Sequence, residues 1–251
     1  MTALSWSGRR KTLYTAVVGV LALIAVVFLY QTFFTIAPTC FDGAQNGGES
    51  GVDCGGSCAL VCGAEAHAPV QLWARIFQTG VGTYTAAAYI QNDNPGAGAK
   101  RVGYSFQLFD ADNHLIVERD GVVDLPPVQT IPIIDPNIPV QNRIPTRVLF
   151  GFSNVPTWYR IPANKVPALR VTNQNLNADA SKLNAVLNNN SYFDARAVTV
   201  GAVLFDSSGT ARAASRSIVD VAKKSSTPVV FTFPGGVPNI VRAEITVLPS
   251  F

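Results

Sequence analysis

Residues 108–117 read L-F-D-A-D-N-H-L-I-V, and residues 204–213 read L-F-D-S-S-G-T-A-R-A. Each stretch runs from an apolar strand pattern through an Asp-opened turn into a second strand, which is the sequence signature of a β-hairpin. Asp110 and Asp206 open the two turns and lie 96 positions apart. We therefore expect one unit to occur twice, with these two aspartates capping equivalent turns.

The same offset, without a gap, matches further positions on both sides of the hairpins. The matches include Val102 with Val198, Val123 with Val219, Asp124 with Asp220, Pro132 with Pro228, and the N-x-N site at Asn92 and Asn94 with that at Asn188 and Asn190. Identities are few, roughly a dozen in about eighty positions, so the repeat rests on shared apolar pattern and turn placement. We expect the two N-x-N sites to terminate a strand in the same way.

Segments of period-two hydrophobicity separated by turn formers predict β-strands throughout this region. In the first copy, the predicted strands are Trp73–Phe77, Tyr84–Ile90, Val102–Phe109, His114–Glu118 and Val148–Phe152. Each copy of about 90 residues, with some seven short strands and almost no helical pattern, favours a two-sheet antiparallel sandwich. The predicted fold class is all-β, with two tandem immunoglobulin-like sandwiches at residues 67–160 and 163–251.

The run F-Q-L-F-D at residues 106–110 resembles the signature of the FxLYD family of bacterial envelope domains. The surrounding pattern is also similar to the type-2 late-embryogenesis-abundant-like sandwich. The second copy keeps only L-F-D, with Ala202 where the first phenylalanine would fall. The resemblance implies a binding or structural role on a fold without shared catalytic residues.

Two proline-containing stretches invite a structural interpretation. Residues 126–140 combine five prolines with exposed-looking isoleucines, a composition that suits the protected edge strand of a sandwich. Recognition of this edge by a partner strand is the alternative. Between the copies, Pro156, Trp158, Tyr159 and Pro162 are expected to pack the two sandwiches against each other into a stiff rod.

The N-terminal region predicts a membrane span. No residue between Lys11 and Asp42 is charged, and residues 13–35 are mostly apolar, which is long enough to cross a hydrocarbon core of roughly 30 Å. A buried core helix would show a polar face, and a signal-peptide core normally runs about 7–15 residues, so an uncleaved signal anchor fits better. The basic residues at 9–11 precede the span, and residues 38–66 contain no Lys or Arg. The positive-inside rule therefore places residues 1–12 in the cytoplasm and the rest outside.

All four cysteines lie just beyond this span, in a predicted stalk at residues 36–66. The positions are Cys40, Cys54, Cys58 and Cys62. An even, clustered count outside the membrane predicts two disulfides with three possible connectivities, and a zinc site built from the four thiolates is a weaker alternative. The pattern C-x-D-G-x-x-N-x-x-E-x-x-x-D-C-G-G-x-C-x-x-x-C resembles small cysteine-rich modules of bacterial and other cell-surface proteins.

Oxygen-bearing side chains alternate with glycines inside the same stalk. They are Asp42, Asn46, Glu49 and Asp53, which could ligate calcium. Asp and Asn in Gly-rich segments also form turns without any metal. Both interpretations remain open at the level of sequence.

Composition and charge narrow the class of function. The net charge of +3 equals the contribution of residues 9–11, because the rest of the chain carries 16 basic and 16 acidic side chains (19 − 3 = 16). A nucleic-acid-binding face is therefore not expected. The two histidines, His67 and His114, lie in a linker and a predicted turn, and neither adjoins a nucleophile motif such as G-x-S-x-G.

Together these features predict a non-enzymatic, membrane-anchored scaffold or binding protein of the bacterial cell envelope. Its partners would be the lipid bilayer, through residues 13–35, and a surface protein or glycan. No cofactor is expected apart from the calcium considered above, and the oligomeric state is left open. The alternative is an exported enzyme or metal-dependent sensor centred on the acidic cysteine-rich segment.

Overall fold

The computed structural model describes residues 6–34, 39–162 and 167–248. The predicted join of span and stalk at 35–38 and the predicted start of the second sandwich at 163–166 lie outside the described residues. The elements are α1 Trp6–Phe34, β1 Val70–Gly80, β2 Thr83–Asn92, β3 Ala97–Phe109, β4 Leu115–Leu125, β5 Gln129–Pro139, β6 Arg147–Phe152, β7 Trp158–Arg160, β8 Leu169–Leu176, β9 Lys182–Asn189, β10 Ala195–Asp206, β11 Ala211–Val221, β12 Ser225–Thr232 and β13 Ile240–Leu248. The all-β class with one apolar helix is confirmed.

Beyond its basic residues at 9–11, helix α1 is apolar on all sides. Residues 8–32 are long and apolar enough to cross a membrane, and none of their most hydropathic window is buried inside the molecule. The hydroxyls of Thr12, Thr15 and Thr32 donate to carbonyls four residues earlier, at 2.6, 2.9 and 2.9 Å. These bonds satisfy the three threonine hydroxyls within the helix, which suits an apolar surrounding.

The first sandwich consists of two antiparallel sheets. One has the strand order β1-β2-β5, and the other has the order β4-β3-β6, with β7 pairing the first residues of β3. Alternate side chains of β3, including the fully buried Phe106 and Leu108, point into the core, where they meet Ala86, Ala88 and Ile90 of β2. The period-two pattern of the sequence therefore corresponds to the inner face of each sheet.

The second sandwich repeats this topology. Its sheets have the orders β12-β9-β8 and β11-β10-β13, which are the strands equivalent to those of the first sandwich. A bulge early in β3 and another early in β10 place Arg101 and Ala197 at φ 51° and 49°. Their backbone N–H groups donate to Asp124 and Asp220 at 2.8 and 2.7 Å. The 96-residue offset thus extends to individual hydrogen bonds.

The offset fails at the N-x-N sites. Buried Asn92 donates to the carbonyls of Ala97 and Pro126, and buried Asn189, rather than Asn188, makes the equivalent bonds in the second copy. In the first copy, the Asn94 side chain donates to Oδ1 of Asn92. In the second copy, the Ser191 hydroxyl, and not the Asn190 side chain, makes the equivalent bond to Oδ1 of Asn189. The prediction of an ungapped match here is wrong. The reason is that nine positions separate Asn92 from the bulge of β3, whereas eight separate Asn189 from that of β10.

The two sandwiches pack face to face and not end to end, so the predicted rod is wrong. An apolar cluster joins the outer face of sheet β1-β2-β5 to the outer face of sheet β11-β10-β13, and the buried members are Phe77, Ala87, Ile134, Val203, Phe205, Ala211 and Ala214. Trp158, predicted to lie between the copies, is buried in the first core instead, and Tyr159 pairs with Leu60. Face-to-face contact buries far more apolar surface than a linker contact would.

Strand β5 is an edge strand, as its prolines predict, but its isoleucines are not exposed. Ile131, Ile133 and Ile138 face the first core, while Ile134 faces the second sandwich. The run is apolar on both faces because both faces are covered. The sequence predicts some seven strands per copy, and in the described part of the second sandwich there are six.

Candidate functional site

The cysteine-rich segment contains two disulfides, as predicted, and the structure assigns their pairing. Cys40 is bonded to Cys58, and Cys54 is bonded to Cys62. All four sulfurs are therefore oxidised, which is incompatible with a site made of four thiolates. We call residues 39–66 the cysteine module.

The cysteine module is docked on the first sandwich and is not a separate stalk. Leu60 forms an antiparallel bridge with Tyr159, and the Val61 N–H donates to the Trp158 carbonyl at 2.9 Å. The Arg160 guanidinium donates to the Gly56 carbonyl at 2.6 Å. Backbone pairing of this kind extends the β4-β3-β6 sheet region into the module and attaches the module to the sandwich.

The four predicted calcium ligands are close in space, but they bond mainly to the module itself. Asp53 accepts the backbone N–H groups of Asp42 and Gly43 at 2.9–3.1 Å, and Glu49 accepts those of Asn46 and Asp53 at 3.3 and 3.2 Å. The Asn46 amide donates to Asp42 at 3.0 Å. This bond, together with backbone N–H groups, lowers the pKa of the Asp42 carboxyl. The side chains therefore act as acceptors that shape Gly-rich turns.

Calcium at this position would compete with those N–H groups. Among the described residues, the triads of candidate ligands within 4.8 Å of one another are Cys40, Glu49 and Cys58, and Asp110, Asp112 and His114. Neither triad includes Asp42 or Asp53, and the two cysteines of the first are bonded to each other. One acceptor in the module, the buried Oδ1 of Asn46, has no hydrogen-bond partner. The calcium hypothesis stays a prediction that metal-dependent melting can test.

The hairpin aspartates cap their turns, as predicted. Asp206 accepts the N–H groups of Ser208 and Thr210 at 3.0 and 2.9 Å and the Arg212 guanidinium at 2.6 Å. The bond from the Ser208 hydroxyl and the neighbouring donors lower the pKa of Asp206 well below its usual range. Each oxygen already has a donor, so the local structure accounts for this carboxylate without a ligand.

The first hairpin is built in the same way. Asp110 accepts the N–H groups of Asp112 and His114 at 3.1 and 2.8 Å and also binds the Arg143 guanidinium. Hydrogen bonding from Arg143 lowers the pKa of Asp110. Because the second copy forms the same turn with Ser and Thr, the Asp110, Asp112 and His114 group is explained by turn geometry. Arg143 also places a positive charge where a metal cation would bind.

A cleft lies where the two sandwiches meet, between β3, β4 and β5 of the first and β10 and β11 of the second. It has a volume of about 270 Å³, and the residues that give it its chemistry are Arg101, Tyr104, Asp124, Pro132, Thr199 and Arg216. Burial raises the pKa of Tyr104, and its interaction with Arg216 of the second sandwich opposes that rise. Two guanidinium groups, a carboxylate, a phenol and apolar side chains form a lining of mixed charge that can hold a hydrogen-bonding group by charge and shape.

Sequence reasoning missed this cleft. Arg101 and Arg216 are 115 positions apart (216 − 101 = 115) and belong to different copies, so no local motif contains both. The sequence contained one signal, the repeat match of Asp124 with Asp220. Each of these carboxylates accepts the N–H of a bulge residue, and in the first copy that residue is Arg101 of the cleft. The cleft exists only because the two sandwiches pack face to face.

No family model and no curated protein matches this sequence. Among solved structures, the chain is similar to the exo-chitosanase CsxA of Amycolatopsis orientalis, with 10% identity and a TM-score of 0.23 over 70% of this chain. The match spans 25% of the chitosanase chain. A likeness at this TM-score carries no argument about the present chain.

Proposed function

We propose that this chain is a membrane-anchored, extracytoplasmic scaffold or binding protein of a bacterial-type cell envelope. Helix α1 would hold it in the membrane with residues 1–12 in the cytoplasm. The cysteine module and both sandwiches would then lie outside, where two disulfides are stable. The resemblance of residues 106–110 to envelope domains is in keeping with this location.

One observation carries the proposal, namely that residues 39–162 and 167–248 are joined by packing and hydrogen bonds into a continuous body. The cysteine module pairs with β7 of the first sandwich. That sandwich shares an apolar cluster with the second, in which Trp73 stacks on Tyr89 with ring centroids 5.0 Å apart. The Tyr89 hydroxyl crosses the interface and donates to Glu244 at 2.5 Å. A body of this kind presents its surfaces at fixed positions relative to one another, which is what a scaffold or receptor requires.

The cleft is the surface that we propose to meet a partner. It combines charge with apolar lining, and binding there needs no titrating catalytic group. A photoreactive amino acid at Val122, an exposed rim position of the cleft, tests this proposal in intact cells. The matched control is Leu149, an exposed aliphatic residue of β6 in the same sandwich.

We expect a cross-linked partner from position 122 and none from position 149. Equal cross-linking from both positions would contradict a role for the cleft. The topology is tested separately, with protease added to intact cells and to opened cells. Degradation of the C-terminal sandwich only after the cells are opened to the cytoplasm would refute an extracytoplasmic location.

A further inference from the structure

Loops at one end of the second sandwich expose two aromatic and two basic side chains. Tyr192 and Phe193 of the β9–β10 loop are 77% and 72% exposed. Lys224, in the β11–β12 turn beside Lys223, holds its Nζ 3.9 Å from the centre of the Tyr192 ring and donates to the Asn190 carbonyl at 2.8 Å. We call Tyr192, Phe193, Lys223 and Lys224 the aromatic tip. Its shape is fixed by these contacts, yet its rings remain open to the solvent.

The cysteine module lies at the corresponding end of the first sandwich. The loop equivalent to the β9–β10 loop is the β2–β3 loop, which contains Asn94. The Asn94 side chain accepts the His67 N–H at 2.7 Å and donates to the His67 carbonyl at 2.8 Å. These bonds fix the end of the module against this loop.

The two sandwiches are packed with their equivalent ends on the same side of the molecule. Near this end, the Gln129 amide at the start of β5 donates to the Val247 carbonyl near the end of β13, at 3.4 Å. Towards the opposite end, Phe77 near the end of β1 shares a cluster with Ala211 at the start of β11. Equivalent loops of the two copies therefore emerge on the same side of the molecule.

The second sandwich also extends further in that direction. Gly201 lies against the ring of Pro132 and is six residues from the first residue of β10 (201 − 195 = 6). Pro132 pairs with Tyr89, which is three residues from the last residue of β2 (92 − 89 = 3). One of the six residues is the bulge residue of β10, so this part of the strand spans five paired positions (221 − 216 = 5 along β11), and the difference of two positions corresponds to roughly 7 Å. The aromatic tip therefore projects past the first sandwich, on the side where the cysteine module is attached.

The anchor holds this same end near the lipid. Helix α1 ends at Phe34, and Cys40 of the module follows six residues later. Six residues span at most about 20 Å, so the module cannot leave the vicinity of the bilayer surface. The projecting tip then faces the headgroup region.

We propose that the aromatic tip binds the lipid headgroup region of the bilayer in which α1 is inserted, as a second attachment point. This inference rests on the proposed membrane anchoring. Aromatic side chains with one apolar face are favoured at the membrane–water interface, and lysines there are attracted to anionic headgroups. Two attachment points would hold both sandwiches in one orientation relative to the membrane, which a single helix cannot do.

The test uses the full chain in vesicles of phosphatidylcholine and phosphatidylglycerol, with part of the phosphatidylcholine brominated to quench nearby indoles. Phe193→Trp places a reporter at the tip, and Val81→Trp places a matched reporter at the fully exposed Val81 of the β1–β2 turn, at the opposite end. The emission of the wild-type chain, which contains three tryptophans, is subtracted from each. We expect roughly twofold or stronger quenching of the Phe193→Trp reporter and none of the Val81→Trp reporter, because interfacial groups lie within reach of the bromines.

Adding Lys223→Gln and Lys224→Gln to the Phe193→Trp chain should weaken the quenching. The difference in quenching between the chains with and without the lysines should grow as the phosphatidylglycerol fraction rises. Equal quenching at positions 193 and 81 would overturn the inference. Flotation of the same samples separates this result from failure of the anchor. A chain that floats with the vesicles but shows an unquenched tip refutes the second contact alone, whereas a chain that does not float refutes the anchoring and the inference together.

Discussion

The face-to-face packing of the two sandwiches predicts opposite effects for the same substitution at two glycines that lie inside β-strands. A Cβ added to Gly201 of β10 would lie 2.7 Å from Cγ of Pro132 and 3.3 Å from Cδ1 of Ile134, both in the other sandwich. A Cβ added to Gly151 of β6 would meet nothing within 4 Å. Gly201→Ala and Gly151→Ala are therefore the same chemical change in an interface and on an open surface.

The expected changes in the free energy of unfolding differ in sign between the two variants. Replacing a strand glycine by alanine stabilises by roughly 0.5–1 kcal/mol, because the unfolded chain loses conformational freedom. At Gly201 the new methyl overlaps the rigid Pro132 ring, and overpacking of this kind costs about 1–3 kcal/mol. The net effect of Gly201→Ala should be a destabilisation of about 1–2 kcal/mol, while Gly151→Ala should gain about 0.5–1 kcal/mol.

The assay is thermal and urea unfolding of the full chain in detergent, followed by near- and far-ultraviolet circular dichroism. A change of 1 kcal/mol corresponds to a Tm shift of roughly 2–4 °C in a body of this size, so the two variants should move in opposite directions by a measurable amount. If the sandwiches were joined end to end as a rod, Gly201 would be open and both variants would be stabilised alike. Similar Tm gains in both variants would therefore refute the face-to-face packing.

Three further predictions concern the hairpins and the cysteine module. Because hydrogen-bond donors lower the pKa of Asp206 in the folded state, the contribution of Asp206 to stability is present above about pH 4 and is lost as the pH falls further. The Tm of the wild-type chain should therefore drop more steeply towards pH 3 than the Tm of Asp206→Asn. Parallel curves of Tm against pH would contradict the capping role of Asp206. Replacing Cys54 and Cys62 by Ser should cost about 2–4 kcal/mol and increase amide exchange in the module while β2 and β3 stay protected. If calcium binds Asp42 and its neighbours, millimolar calcium should raise the Tm relative to a chelator, and an unchanged Tm would leave these side chains as turn-forming acceptors.

The hairpins show how far local sequence determines structure here. L-F-D at 108–110 and at 204–206 was enough to predict both turns and their caps, because an aspartate accepting its own downstream N–H groups is a local interaction. The register of the repeat was predictable around the hairpins, where the offset stays at 96. It was not predictable at Asn189, because a one-residue deletion in a loop leaves no mark in a stretch of similar Asn residues.

The cysteine module was predictable in its chemistry and not in its position. Four clustered cysteines implied two disulfides, but their pairing depends on which sulfurs the folded turns bring within bonding distance. Docking through Leu60 and Tyr159 could not be read from either residue, because backbone pairing between distant segments has little side-chain signature.

By itself the sequence determined the all-β class, the apolar helix, the disulfide content and the doubling of one unit, because each depends on local periodicity or on counts. Only the tertiary structure decided that the two sandwiches stack face to face. Ala87 and Ile134 are apolar on the outer face of their sheet, and such a pattern is the same whatever covers that face. The cleft between Arg101 and Arg216 follows from that stacking, since its two walls come from different copies and meet only when the interface forms.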